Sequence, residues 1–146
     1  MRAGLQKISF GSATLLRPLM WFDSIDPRDP LQFTNGVYGL LGRYYFLNNA
    51  NIWVWALYGN DDLKGWETLP THKRGIERGG RIQVPIQAGE MGFSYHRRMV
   101  NPEGFMFGAA YPMQVTFPED RFGLDGKWDI GVGVWFEGTV TRRGFD

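Results

Sequence analysis

One stretch of this sequence, residues 121–141, alternates with a strict period of two. Every even position from Phe122 to Val140 is apolar, aromatic or glycine, whereas the odd positions include Asp125, Lys127 and Glu137. Because successive side chains of a β-strand point to opposite faces, the pattern predicts one long strand with an apolar face and a charged face. Strands in globular proteins average about 5–6 residues, so a strand of this length is unusual.

The length of this predicted strand suggests that it crosses a bilayer. At a rise of roughly 3.3 Å per residue, about 9–11 tilted residues span the hydrocarbon core, and the rest would project into water. Aromatic residues near both ends suit the girdles that mark bilayer interfaces. We therefore predict a transmembrane β-strand, with a long strand of a soluble barrel or sandwich as the alternative.

The composition favours a barrel over a helical membrane protein. Aromatic residues make up 16% of the 146 residues, glycine contributes 20, and no run approaches the ~18 uninterrupted apolar residues of a membrane helix. The net charge of +1 comes without a basic stripe, so we expect no nucleic-acid partner. Cysteine is absent, which excludes disulfides and thiolate chemistry.

The rest of the chain repeats the alternation in shorter runs separated by turn and loop signals. Tight turns at Asn48-Asn49 and Ala88-Gly89 alternate with long connections over residues 14–36 and 60–78. Outer-membrane barrels have short turns on one side of the membrane and long loops on the other, so the two kinds of connection alternate along the chain. The fold class is therefore all-β: an antiparallel meander of about 6–7 long strands within 1–146, forming a single β-barrel domain or a segment of a transmembrane β-barrel. The predicted strands cover residues 5–13, 37–47, 51–59, 79–87, 90–98, 105–117 and 121–141.

No catalytic motif, metal-ligand spacing or cofactor fingerprint is present, so we expect no catalysis, metal or cofactor. Asp125, Asp129 and Glu137 share one predicted face, and paired carboxylates can cleave glycosides. Residues four apart on a strand are about 13 Å apart, so a catalytic partner would have to come from another strand. A hydrated wall of charges is the favoured interpretation.

If the apolar faces point to lipid, the opposite faces line a lumen. Both charge signs occur there, so strong charge selectivity is not expected. The candidate lumen-facing residues are Arg43, Arg81, Gln83, His96, Arg98, Asp125, Lys127, Asp129 and Glu137. The candidate lipid-interface aromatics are Tyr44, Phe46, Phe93, Tyr95, Phe122, Trp128 and Phe136. Both faces of residues 51–59 are apolar, and the period alone does not assign them.

Three runs, residues 42–55, 79–85 and 124–129, resemble porin-type outer-membrane barrel proteins of Gram-negative bacteria in style. The resemblance implies a bacterial outer-membrane location and passive transport of small solutes or binding at the surface. Outer-membrane lipid would be one partner. Single-chain bacterial barrels begin at eight strands, so we expect other chains or the rest of a longer barrel to complete the wall.

The N-terminus has no signal-peptide pattern, so the chain is expected to be a mature form or an internal piece of a longer protein. One alternative is a soluble lipocalin-like β-barrel that holds an apolar ligand among Trp53, Trp55, Tyr58, Trp128 and Phe136. Another is a carbohydrate-binding or carbohydrate-active β protein that uses exposed Trp and the carboxylates.

Overall fold

A computed structural model describes residues 1–13, 17–23, 35–102 and 116–144, which contain one seven-stranded antiparallel sheet. Each strand pairs with its neighbours in sequence, in the order β1-β2-β3-β4-β5-β6-β7. The predicted all-β antiparallel meander is therefore confirmed, whereas the strand expected over 105–117 falls almost wholly outside the described residues. The strands are β1 (Arg2–Gln6), β2 (Val37–Tyr45), β3 (Asn51–Tyr58), β4 (Ile76–Ile86), β5 (Gly89–Val100), β6 (Phe117–Asp129) and β7 (Gly133–Arg143).

The single long strand predicted over 121–141 is wrong, because the chain folds back on itself there. β6 and β7 form a hairpin whose turn, residues 130–132, includes Gly131 at φ 91. The register pairs Asp125 with Glu137 and Leu124 with Gly138, so even residues face even residues across the hairpin. Even positions consequently stay on one face through the turn. The alternation continues without a break, and it cannot reveal the reversal.

Other boundaries also differ from the prediction. β1 ends at Gln6 instead of continuing to residue 13, and β4 begins at Ile76, within the predicted loop 60–78. The β4–β5 turn is Gln87-Ala88, one residue earlier than expected, with Gln87 at φ 46. The turn predicted at Asn48-Asn49 is present, and Asn49 adopts φ 64, which asparagine tolerates well.

Connections of different length lie at opposite ends of the sheet. The short turns, residues 46–50, 87–88 and 130–132, join β2 to β3, β4 to β5 and β6 to β7 at one end. The strand ends that are joined by the longer connections, residues 7–36, 59–75 and 101–116, lie at the other end. The hairpin between β6 and β7 thus adds a third short turn to the two that the sequence predicted.

One face of the sheet, which we call the inner face, is covered by the chain that follows β1. This inner segment comprises residues 7–13 and 17–23 of the described chain. Its Phe10 stacks on Trp55 at 5.8 Å between ring centroids, and Phe22 meets the same indole edge-on at 5.4 Å. The buried apolar core is formed by Ile8, Phe10, Leu19, Trp21, Phe22, Val37, Leu41, Trp55 and Leu57.

The inner segment also reaches the last strand. The Glu137 carboxylate on β7 accepts backbone hydrogen bonds from Ser12 and Ala13, both at 3.0 Å, and from Leu19 at 2.7 Å. Trp55 lies on β3, about 19 Å from β7 in a flat sheet with strands roughly 4.8 Å apart. A short segment that contacts both strands indicates that the sheet curls around it. Among the described residues, β1 and β7 remain unpaired edges.

The opposite face, which we call the outer face, is apolar and exposed. Even-numbered residues of β2, β3, β4, β6 and β7 and odd-numbered residues of β5 point to it. On β3, this assigns Ile52, Val54 and Tyr58 to the outer face. Large exposed hydrophobic residues on this face include Tyr38, Leu40, Tyr44, Ile52, Val54, Tyr58, Ile82, Val84, Phe93, Phe122, Leu124, Val134, Phe136 and Val140.

No helix among the described residues is long and apolar enough to cross a bilayer.

Candidate functional site

All nine residues predicted to face a lumen share the inner face. The strand register, with its period of two, brings them to one side of the sheet although they come from five strands. Most of them fall into two groups that lie towards opposite ends of the sheet and have different partners. Arg43 is on β2, Arg81 and Gln83 on β4, His96 and Arg98 on β5, Asp125, Lys127 and Asp129 on β6, and Glu137 on β7.

The first group is a buried charge cluster at the end of the sheet with the long connections. Arg98 lies at its centre, with Nε 2.7 Å from Glu119 Oε1 and Nη1 3.0 Å from Glu67 Oε2. Arg121 contacts the same two carboxylates, at 2.7 Å for Glu119 and 3.1 Å for Glu67. Arg143 adds a third cation at 2.8 Å from Glu119. Two carboxylates therefore share three guanidinium groups.

His96 connects this cluster to the aromatic core. The indole N–H of Trp55 donates to His96 Nδ1 at 3.2 Å, so the imidazole proton must sit on Nε2. That nitrogen lies 3.1 Å from Glu77, whose other oxygen accepts from Lys64 Nζ at 3.0 Å. The imidazole is fully buried. Both of its nitrogens are engaged, so His96 positions Glu77 and Trp55 and presents no free nitrogen.

Glu67 enters the cluster from the connection between β3 and β4. Its side chain has no exposed surface and lies within salt-bridge distance of Lys64, Arg98 and Arg121. Burial nevertheless raises the pKa of Glu67 above 4.5, because the loss of hydration outweighs the attraction of the three cations. The carboxyl thus takes up a proton more readily than an exposed glutamate.

The sequence reasoning missed most of this cluster. Lys64 and Glu67 lie in the connection 60–78, for which the alternation predicted neither a strand nor a helix. Glu77 was assigned to the same loop, although it lies on β4. Glu119 and Arg121 continue the odd-numbered, inward alternation of Asp125 on β6. Extending the alternation towards the N-termini of β4 and β6 would have assigned Glu77 and Glu119 to the inner face.

The second group lies nearer the short turns. Arg81 and Asp125 form a two-pronged ion pair, Nη1 to Oδ1 at 2.5 Å and Nη2 to Oδ2 at 2.8 Å. Arg81 Nη1 also donates to Ser94 Oγ at 2.9 Å. Gly92 faces the guanidinium, and a Cβ at this position would collide with it. The ion pair is almost completely buried, and the glycine provides the space that it occupies.

Two adjoining cavities extend from this ion pair to the short-turn end. The first has a volume of about 370 Å³ and is lined by Arg81, Asp125 and Lys127, with aromatic surface from Phe10 and Trp53. The second, of about 550 Å³, is lined by residues of the β4–β5 and β6–β7 hairpins. Both cavities share Ser12, Glu90 and Lys127. Lys127 is 59% exposed and pairs with Glu90 at 2.8 Å.

The three candidate carboxylates, Asp125, Asp129 and Glu137, have different surroundings. Asp125 and Glu137 are direct cross-strand partners on the inner face, an arrangement that only the hairpin allows. Asp125 is held by Arg81, and Glu137 is occupied by the backbone of the inner segment. Asp129 is exposed at the end of β6. The described contacts therefore provide no acid and nucleophile poised across a shared cleft.

The predicted interface aromatics lie on the outer face, except for Phe46 in the β2–β3 turn. Phe46 packs edge-on against Tyr44 at 4.9 Å. Trp128 stacks with Phe136 at 5.8 Å, and Tyr95 packs against Phe122 at 5.3 Å. The remaining member of the set, Phe93, is exposed on β5 between Tyr95 and the short turn.

The set of five residues predicted to line the ligand pocket of a soluble lipocalin-like barrel is wrong. Trp53 and Trp55 point to the inner face, whereas Tyr58, Trp128 and Phe136 point to the outer face. Both residue sets follow the alternation of their strands, so one cavity cannot contain all five. Trp53 instead stacks under the Arg43 guanidinium, whose carbon lies 3.8 Å from the ring centroid.

Comparison with protein-family models, with curated proteins and with solved structures gives no match. Within the described part of the chain, no group of three histidine or acidic residues could hold a metal ion.

Proposed function

We propose that this chain forms part of the wall of a porin-like outer-membrane barrel in a Gram-negative bacterium. The outer face would contact lipid, and the inner face would border an aqueous path for the passive passage or binding of small solutes. The observation that carries the proposal is the contrast between the two faces of the sheet. Many apolar side chains are exposed on the outer face, while ion pairs are buried on the inner face beside the aromatic core.

The outer face is difficult to reconcile with water. Monomeric soluble proteins rarely expose a contiguous apolar patch larger than about 300–600 Å². Here the exposed apolar residues continue from Tyr38 on β2 to Val140 on β7 and include most outward positions between them. A transmembrane β-barrel requires this pattern, because its lipid-facing band is apolar and its interior is polar.

The exposed apolar residues of the outer face form a band, which we call the apolar band. Its position shifts along the strands from β2 to β6, as expected in a tilted barrel wall. On β2 the band runs from Tyr38 to Tyr44, and Tyr44 is in register with Leu124 of β6 through the intervening strands. On β6 the band runs from Phe122 to Trp128. It therefore ends four residues beyond Leu124, the residue in register with the end of the band on β2. That offset is about 13 Å along the strands over about 19 Å across them, a tilt of roughly 35°. Barrel strands tilt by about 35–45°.

The connections support one orientation of the wall. Outer-membrane barrels have short turns on the periplasmic side and longer loops outside. The three short turns would then face the periplasm, and the buried charge cluster, near the long connections, would lie towards the outside.

The inner face suits a narrowed solute path better than an open pore. The inner segment and the connection between β3 and β4 fill the end with the charge cluster. The two cavities leave the short-turn end open, where Lys127, Glu90 and Asp129 present both signs of charge. We therefore expect a path with weak charge selectivity and with a constriction formed by the inner segment.

The unpaired edges imply further partners. An open sheet edge is not tolerated in the hydrocarbon region, because its N–H and C=O groups would have no hydrogen-bond partners. β1 and β7 are such edges among the described residues. Other strands, from a longer form of the chain or from other chains, would complete the barrel.

Folding in buffer and in detergent micelles tests this proposal. We expect circular dichroism to report β-structure in the detergent and aggregation or loss of structure without it. A chain that is folded and monomeric in plain buffer would overturn the lipid-facing assignment. Material that is folded in detergent can then be added to a planar bilayer, where stepwise conductance is the expected result for an assembled pore.

A further inference from the structure

Four charged residues interrupt the outer face in one straight row. Arg78 is the direct cross-strand partner of Arg97, Arg97 of Asp120, and Asp120 of Arg142. We call these four residues the arginine row; it runs across β4, β5, β6 and β7. The next outward row towards the short turns is apolar and consists of Gly80, Tyr95, Phe122 and Val140. The arginine row therefore borders the apolar band on the side of the long connections.

The positive charge of this row is only partly neutralised. Asp120 accepts a hydrogen bond from the Tyr95 hydroxyl at 2.6 Å and lies 3.7 Å from Arg97. Arg78 and Arg142 are exposed, and neither has an ion-pair partner among the described residues. Like charges directly opposite each other destabilise an antiparallel pair, and Arg78 faces Arg97 in this way. The row has a net positive charge, and an anion bound between the guanidinium groups would relieve the repulsion.

We propose that the arginine row binds the phosphate of an anionic lipid headgroup. This proposal rests on the proposed function, since it requires the outer face to contact lipid. Cross-strand partners have Cβ atoms about 4.5–5.5 Å apart, so the Arg78 and Arg97 guanidinium groups can converge on one phosphate. Arginine matches phosphate oxygens with two parallel N–H donors, which makes it suited to this task.

The position of the row favours a lipid over a free anion. A lipid whose phosphate lies at Arg78 and Arg97 would place its acyl chains along the apolar band that begins at Tyr95 and Phe122. A free phosphate would gain nothing from that band. In the orientation proposed above, the bound lipid belongs to the leaflet on the side of the long connections.

The test compares binding to two kinds of vesicle, one of phosphatidylcholine alone and one with about 20 mol% phosphatidylglycerol. The double variant Arg78→Gln/Arg142→Gln removes the two unpaired arginines. Lys7→Gln/Lys73→Gln removes two exposed positive charges elsewhere and is the matched control. Each basic residue at an anionic surface is worth about a five-fold change in affinity, so we expect the preference for phosphatidylglycerol to fall by roughly 25-fold in the arginine variant alone.

Equal losses in both double variants would refute a specific site, because they would reflect general charge attraction. The absence of a preference for phosphatidylglycerol in the unaltered chain would also refute it, although folding into phosphatidylcholine would leave the proposed function standing. Failure to fold into either vesicle would instead overturn the proposed function. Binding of inorganic phosphate without lipid, lost in the arginine variant, would assign the row to a free anion and contradict the lipid assignment.

Discussion

Replacing Leu124 by arginine places a positive charge in the middle of the outer apolar band. Leu124 lies on β6, one outward position beyond Phe122, and 43% of its surface is exposed. In lipid, arginine at the midplane of a barrel wall costs about 2–4 kcal/mol of folding free energy. In water, an exposed substitution of this kind usually changes stability by less than about 0.5 kcal/mol. The two environments therefore predict clearly different results.

The assay is urea unfolding in lipid vesicles, followed by tryptophan fluorescence. Val140→Arg is the depth control, because Val140 lies beside the arginine row at the edge of the band, where the cost should be about 0–1 kcal/mol. Thr139→Arg, on the inner face of the same strand, should also be mild. A Leu124→Arg cost below about 0.5 kcal/mol, or one equal to that of Val140→Arg, would refute the placement of this face in lipid.

Three further predictions concern the inner face. Glu137→Leu removes the acceptor of three backbone N–H groups, so we expect the inner segment to loosen and chymotrypsin to cleave faster after Phe10; unchanged cleavage would contradict this role. Arg98→Ala leaves Glu67 and Glu119 buried with fewer cations and should cost about 3–5 kcal/mol in urea unfolding, whereas a cost under about 1 kcal/mol would show that the cluster tolerates its loss. Because burial raises the pKa of Glu67 above 4.5, the stability that it contributes is complete below that value and is lost as the pH rises through the folded-state pKa. The free energy of unfolding relative to Glu67→Gln should therefore fall as the pH rises above about 4.5, and a rise would contradict the sign.

The alternation in the sequence predicted the sheet and its faces well. Period-two patterns depend only on the strand backbone, so Arg81, Arg98 and Asp125 could be assigned to one face without knowledge of the fold. The same property concealed the reversal at Gly131, because a hairpin that pairs even with even residues keeps the pattern intact.

Interactions that depend on long-range contacts could not be predicted. Ile8 and Phe10 belong to a predicted strand that ends before them in the structure, and Trp21 belongs to a predicted loop. All three are buried because the segment folds back across the sheet. The pairing of Lys64 with Glu77 brings a connection together with a strand, and no local pattern specifies that contact. The arginine row likewise requires the register of four strands.

Site-directed spin labelling of β7 is the most direct test of the claim that the outer face lies in lipid. The chain has no cysteine, so single cysteines can be introduced at outward positions 134, 136 and 140 and at inward positions 135, 139 and 141 without background labelling. In vesicles, we expect high accessibility to oxygen at the even positions and to a water-soluble nickel chelate at the odd positions. Equal accessibility to the nickel chelate at both sets of positions would contradict the account.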